Sequence, residues 1–207
     1  MRRRVPHALV AAAFLTFAAF PLGCDTSPQP AHAVRSELRR ELRARFHWFG
    51  RPTVDADDLQ PVVRRFYQSR GFDPAWTDGR RPTGDARALL AALDAAPQQG
   101  IDPGKYGPER LRELMKNADA GLVGPAPSAR ALATLDIQLT RAFLTYAANL
   151  SSGQVDPRLL PADWHLNLRR PNLAPVLADA IQNHRVERSL AEITPRDPSY
   201  ERLRAAL

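Results

Sequence analysis

Ser128–Leu150, SARALATLDIQLTRAFLTYAANL, is the stretch whose reading decides the fold. Its large apolar residues fall at Leu132, Leu135, Leu139, Phe143, Tyr146 and Leu150, in steps of three and four that place them on one side of a helix. Ile137 and Leu144 add a second apolar strip beside the first. Thr134, Gln138, Arg141, Thr145 and Asn149 close the circle as a narrow polar arc. A helix with so little polar perimeter must be covered by other helices. Ser128 is suited to cap its start, and Gly153 stands where glycine commonly stops a helix. Between the two apolar strips lie Asp136 and Thr140, one turn apart, a polar pair inside an apolar environment.

Outward from this helix, the bulk numbers suit a folded body with appendages. The chain has 207 residues, 44% of them hydrophobic, enough for a core and too many for a disordered tail. The net charge of +7 comes almost wholly from arginine, since Lys105 and Lys116 are the only lysines. Such a charge suits an anionic lipid, an anionic wall polymer or nucleic acid, and does not choose among them.

The amino terminus does choose. Met1–Arg4 is a positive n-region and Ala8–Phe20 an apolar run, shorter than the about 20 residues of a membrane span, so residues 1–23 are expected to be an export signal. Pro21-Leu22-Gly23-Cys24 resembles a lipobox, with proline where leucine is usual, which makes Cys24 the expected lipidation site. The alternative is cleavage after Ala33, at Ala31-His32-Ala33. Both readings export the chain, to the periplasm, with a lipid anchor in the first. Nucleic acid is therefore not an expected partner. Cys24 is the only cysteine, so no disulfide within the chain is possible and residues 25–207 contain no thiol.

Residues 24–33, CDTSPQPAHA, read as a tether. Val34–Phe49 reads as a basic helix that either lies on an anionic surface or docks Leu38, Leu42, Phe46 and Phe49 on the body while its arginines face solvent. Asp55, Asp57 and Asp58 precede a helix over 59–69 and lack the spacing of a calcium loop, so they read as capping groups, and Val62, Val63, Phe66 and Tyr67 give that helix its apolar face. Phe72 and Trp76 flank Pro74 in a packed loop, and Asp78-Gly79 marks a turn. Further helices are expected over 83–96, capped near Thr83 or Asp85, and over 108–117, 173–183, 185–193 and 200–207, with an irregular arm carrying Trp164 after Gly153. No stretch alternates as a strand. The expected fold is mostly α, an irregular multi-helix bundle around one long central helix at about 128–150.

Reactive constellations are scarce. His7, His32, His47, His165 and His184 form no ligand pair, so no metal or cofactor is expected, and no phosphate loop or nucleophile elbow appears. Asp136 with Thr140 is the best candidate for a working carboxylate, since burial can raise an acid's pKa. The alternative is structural: a carboxylate that accepts a helix-start amide or an arginine such as Arg87 and fixes packing. Trp76 and Trp164 suit stacking on sugar rings, or wedging loops onto a helical core.

With these residues in view, the chain resembles the scaffold domain of YcbB-type L,D-transpeptidases, of the YkuD superfamily. The resemblance is carried by Tyr67, Arg70-Gly71-Phe72, Pro74, Trp76, Asp85–Leu90, Gly100-Ile101-Asp102-Pro103 and Tyr106, then Leu135-Asp136-Ile137, Leu139-Thr140, Tyr146 and Leu150. Gly153–Pro157, Trp164, Pro195, Tyr200 and Leu203 continue it. It implies a helical platform over 34–207 that accompanies a wall-binding module and a catalytic domain cross-linking peptidoglycan in the cell envelope. The family's nucleophile lies in a Ser-His-Gly-Cys run, which is absent from this sequence. The resemblance therefore implies a non-catalytic scaffold, a truncated or split member, whose partners are peptidoglycan or a catalytic L,D-transpeptidase. Asp136, Thr140, Trp76, Trp164, Tyr106 and Tyr146 are its candidate structural or wall-contact residues. A stand-alone envelope adaptor is the other reading.

Overall fold

The computed structural model describes residues 30–43, 59–120, 127–153 and 172–206. Eight α-helices lie among them: α1 Pro30–Glu41, α2 Leu59–Ser69, α3 Gly84–Asp94, α4 Pro108–Asp119, α5 Ala129–Ser152, α6 Leu173–Gln182, α7 Val186–Ile193 and α8 Pro198–Ala205. Two short 3-10 turns, Ala96–Gln99 and Pro103–Lys105, separate α3 from α4. No strand occurs among the described residues; a single bridge joins Thr77 to Pro82 across the Asp78-Gly79 turn.

The central helix forms as its sequence dictates. Ser128 caps α5 by accepting the Ala131 amide, and Gly153, at φ 80°, stops it. Its 24 residues make a rod of about 36 Å. Around it pack α1, α2, α3, α4, α6 and α7. From Leu135 to Ala147 every side chain is buried. The polar arc goes inside with the rest: Gln138, Arg141 and Thr145 are all buried, and only Thr134 and Asn149 reach partial exposure.

Local chemistry sets the other helix ends. Thr83 caps α3 through the Ala86 amide, Asn172 caps α6 through Ala174, and Asp197 caps α8 through Ser199. Pro108 and Pro198 occupy first-turn positions where a missing N–H is harmless. The chain leaves α2 through two consecutive left-handed residues, Gly71 at φ 63° and Phe72 at φ 67°. That conformation strains phenylalanine, and it turns the segment 73–77 back along α5.

The amino-terminal end departs from expectation. Helix α1 begins at Pro30, so Pro30–Ala33, read as the end of a tether, form its first turn, and the helix ends at Glu41 rather than Phe49. Val34, Leu38 and Leu42 explain the shift: at helical spacing they are all buried, and α1 lies against α5. Residues 24–29, Phe46, Phe49 and Asp55–Asp58 lie outside the described residues. The 83–96 helix is shorter than expected because Pro97 follows α3, and the chain tightens into the 3-10 turn.

Candidate functional site

Asp136 and Thr140 sit on the face of α5 that meets α2 and the 74–77 loop, and neither has exposed surface. Four donors converge on the carboxylate. Tyr67 Oη (2.6 Å) and the Ala75 amide (2.8 Å) donate to Oδ1; the Trp76 amide (2.9 Å) and Thr77 Oγ1 (3.2 Å) donate to Oδ2. Tyr67 has one proton, given to Asp136, so at its 2.7 Å contact with Thr140 the threonine hydroxyl is the donor. Thr140 Oγ1 in turn accepts Trp76 Nε1–H at 2.8 Å. The relay is closed: each proton has an acceptor, and the chain of donors ends on one carboxylate.

Burial pushes the Asp136 carboxyl up, opposed by the Ala75 amide, the Tyr67 hydroxyl, the Trp76 amide and the Thr77 hydroxyl. Tyr67 is held well above the ordinary phenol range by burial and by the neighbouring Asp136 charge, so it stays a donor. The acid's partners are loop amides and hydroxyls, not the helix start or the arginine considered from the sequence. Arg87 lies at the surface, 3.0 Å from Asp119. The Asp136 cluster clasps α5, α2 and the loop together, and leaves no oxygen free for a substrate.

The aromatic candidates are likewise inside. Trp76 has no exposed surface and packs on Phe143 with centroids 6.1 Å apart. Tyr106 and Tyr146 meet edge to face at 5.3 Å, and Asn149 Nδ2 donates to Tyr106 Oη at 2.8 Å. Burial, then the neighbouring Tyr106 and Tyr200, push the Tyr146 hydroxyl up to about 12. Asp136, Thr140 and Trp76 have no exposed surface, and Tyr106 and Tyr146 are buried at 1% and 4%, so none of the five presents a face on which a sugar could stack. Trp164 and Cys24 lie outside the described residues.

One exposed polar arrangement escaped the sequence. His184, at φ 51° between α6 and α7, places Nδ1 2.6 Å from the buried Asp85 carboxylate at the start of α3. Beside the pair is an open cleft of about 620 Å³, lined by Thr83, Gly84, Ala88, Glu187 and Arg188 among others. A carboxylate behind an imidazole orients it. Thr83 carries the only hydroxyl among the residues that line the cleft, and it donates to the Trp76 carbonyl and caps α3. The partners are 99 residues apart, and Asp85 reads from sequence as a capping residue. No group of three His, Cys, Asp or Glu side chains placed to hold a metal ion occurs among the described residues.

These features define a class: an all-helical platform whose best-placed polar residues are used to hold its own parts together. The model of the Scaffold domain family matches residues 61–207, and the chain belongs to that family. No curated protein and no solved structure matches it.

Proposed function

We propose that this protein is an exported, lipid-anchored, non-catalytic support for L,D-transpeptidase cross-linking of peptidoglycan. The observation that carries the reading is the family match over 61–207, together with the ordered motifs from Tyr67 to Leu203. The fate of Asp136 supports it. The sequence's best candidate for a general acid is enclosed by four donors, as a structural carboxylate is. Residues 25–207 hold no cysteine, so the acyl-enzyme thiolate is supplied by a partner polypeptide or another module. The adaptor reading loses Trp76, which has no exposed surface, and keeps only Trp164 and the basic face.

The test is reconstitution. The purified chain is incubated with peptidoglycan, alone and with a separately produced L,D-transpeptidase catalytic module, and cross-linked muropeptides are quantified. The chain alone should give none, and its addition should raise the yield from the module. Turnover by the chain alone, or a yield indifferent to its presence, would overturn the proposal. In parallel, sedimentation with sacculi that depends on Trp164 would favour the adaptor.

A further inference from the structure

The charge of the amino-terminal corner is unbalanced. Residues 30–43 and 59–73, which form α1, α2 and the turn after it, carry Arg35, Arg39, Arg40, Arg43, Arg64, Arg65 and Arg70 against Glu37, Glu41 and Asp73. All three acids are already paired: Glu37 with Arg40, Glu41 with Arg130, and Asp73 with Arg35. The two helices hold this surplus at one corner. Arg64 Nε donates to the Leu42 carbonyl at the end of α1 (2.9 Å), and the Arg39 guanidinium lies 5.2 Å over the Phe72 ring beyond α2. Arg39, Arg43, Arg64 and Arg65 are exposed, and none has a carboxylate partner among the described residues.

We propose that this corner docks on an anionic phospholipid surface and so orients the scaffold at the membrane. Two observations select this occupant. One is charge complementarity: a juxtamembrane cluster of arginines is attracted to anionic headgroups. The other is chain length. Five residues lie between Cys24 and Pro30, the start of α1, and the six chain steps from one to the other span at most about 22 Å. A lipid on Cys24 would hold α1 within that distance of the bilayer; the geometry rests on the lipid-anchored reading proposed above.

The structure also decides the mode of binding. An interfacial helix inserts its apolar face, but Val34 and Leu38 of α1, and Leu42 just after it, are buried against the body. The docking is therefore adsorption through charge, and salt must weaken it.

The full chain is sedimented with vesicles of phosphatidylcholine alone and with added phosphatidylglycerol, as wild type and as Arg43→Glu/Arg65→Glu. Neither arginine's side chain makes a hydrogen bond or ion pair among the described residues, and a thermal melt checks that the variant folds. An arginine at an anionic surface raises partitioning about fivefold, so the double reversal should cut the phosphatidylglycerol-dependent part at least about 25-fold. On wild type, 0.5 M salt, about three times the physiological ionic strength, should cut that part similarly. Both proteins are also measured with Cys24→Ser. If the phosphatidylglycerol-dependent part persists there and still needs the arginines, the corner docks whether or not Cys24 is acylated. Failure of labelled fatty acid to enter Cys24 would remove the anchor alone. Binding indifferent to phosphatidylglycerol would overturn the docking proposal. So would a double reversal that weakens sedimentation with lipid-free sacculi but not with vesicles, since the occupant would then be a wall polymer.

Discussion

Asp136 shows how much of a residue's role its neighbours in sequence can tell. Its position between two apolar strips of α5 marks it as buried, and Thr140 one turn on marks a polar partner. The four donors come from Tyr67, Ala75, Trp76 and Thr77, about 60 to 70 residues away, and nothing local names them. Tyr67 in particular reads as part of an apolar helix face, and its hydroxyl is the hub of the relay. Because both carboxylate oxygens receive backbone N–H groups, Asp136→Asn should be severe. However its amide is turned, an NH₂ faces a backbone donor, leaving buried groups unsatisfied at about 1–3 kcal/mol each. Denaturant unfolding should show a loss of about 3 kcal/mol, in the range of a broken buried network. A loss below about 1 kcal/mol would mean that the clasp matters little.

At the level of elements, the apolar period marks α1 to α7, because spacing of three and four reports burial directly, whereas α8 buries no side chain. Their ends are less legible. Ser128 is visible as a cap because a hydroxyl before an apolar run has one obvious use, and of Thr83 and Asp85, both open to the start of α3, it is Thr83 that takes the cap. The start of α1 is not visible, since Pro28 and Pro30 resemble a linker until α5 is known to lie alongside. Leu38, with no exposed surface, measures the docking of that helix. Leu38→Ala should lower stability by about 2–5 kcal/mol, the usual range for a truncated core leucine. Hydrogen exchange should quicken first in α1, which is held by this one face. Exchange that quickens evenly through α2–α7 would show that α1 is not a separately opening unit.

For the whole molecule, the tyrosines give a stability signature at high pH. Tyr67 and Tyr146 hold their protons more tightly when folded, Tyr146 up to about 12, whereas an unfolded tyrosine ionises near about 10. Between those values the folded chain binds more protons than the unfolded one, so stability falls as pH rises. The contribution is fully present below about pH 10 and is lost through about pH 12. Absorbance near 295 nm should show part of the tyrosine population titrating late or only on unfolding. All four titrating together near pH 10, with the fold intact, would contradict the burial of this pair.

By itself, the sequence determined the helical class, the central position of α5 and the lack of a thiol in residues 25–207, because periodicity, capping and composition are local properties of a chain. Only the tertiary structure decided that Asp136 is enclosed, that Asp85 meets His184, and that the arginines of α1 and α2 gather at one corner. These depend on which distant segments share a surface, and that follows from packing of the whole around one buried helix.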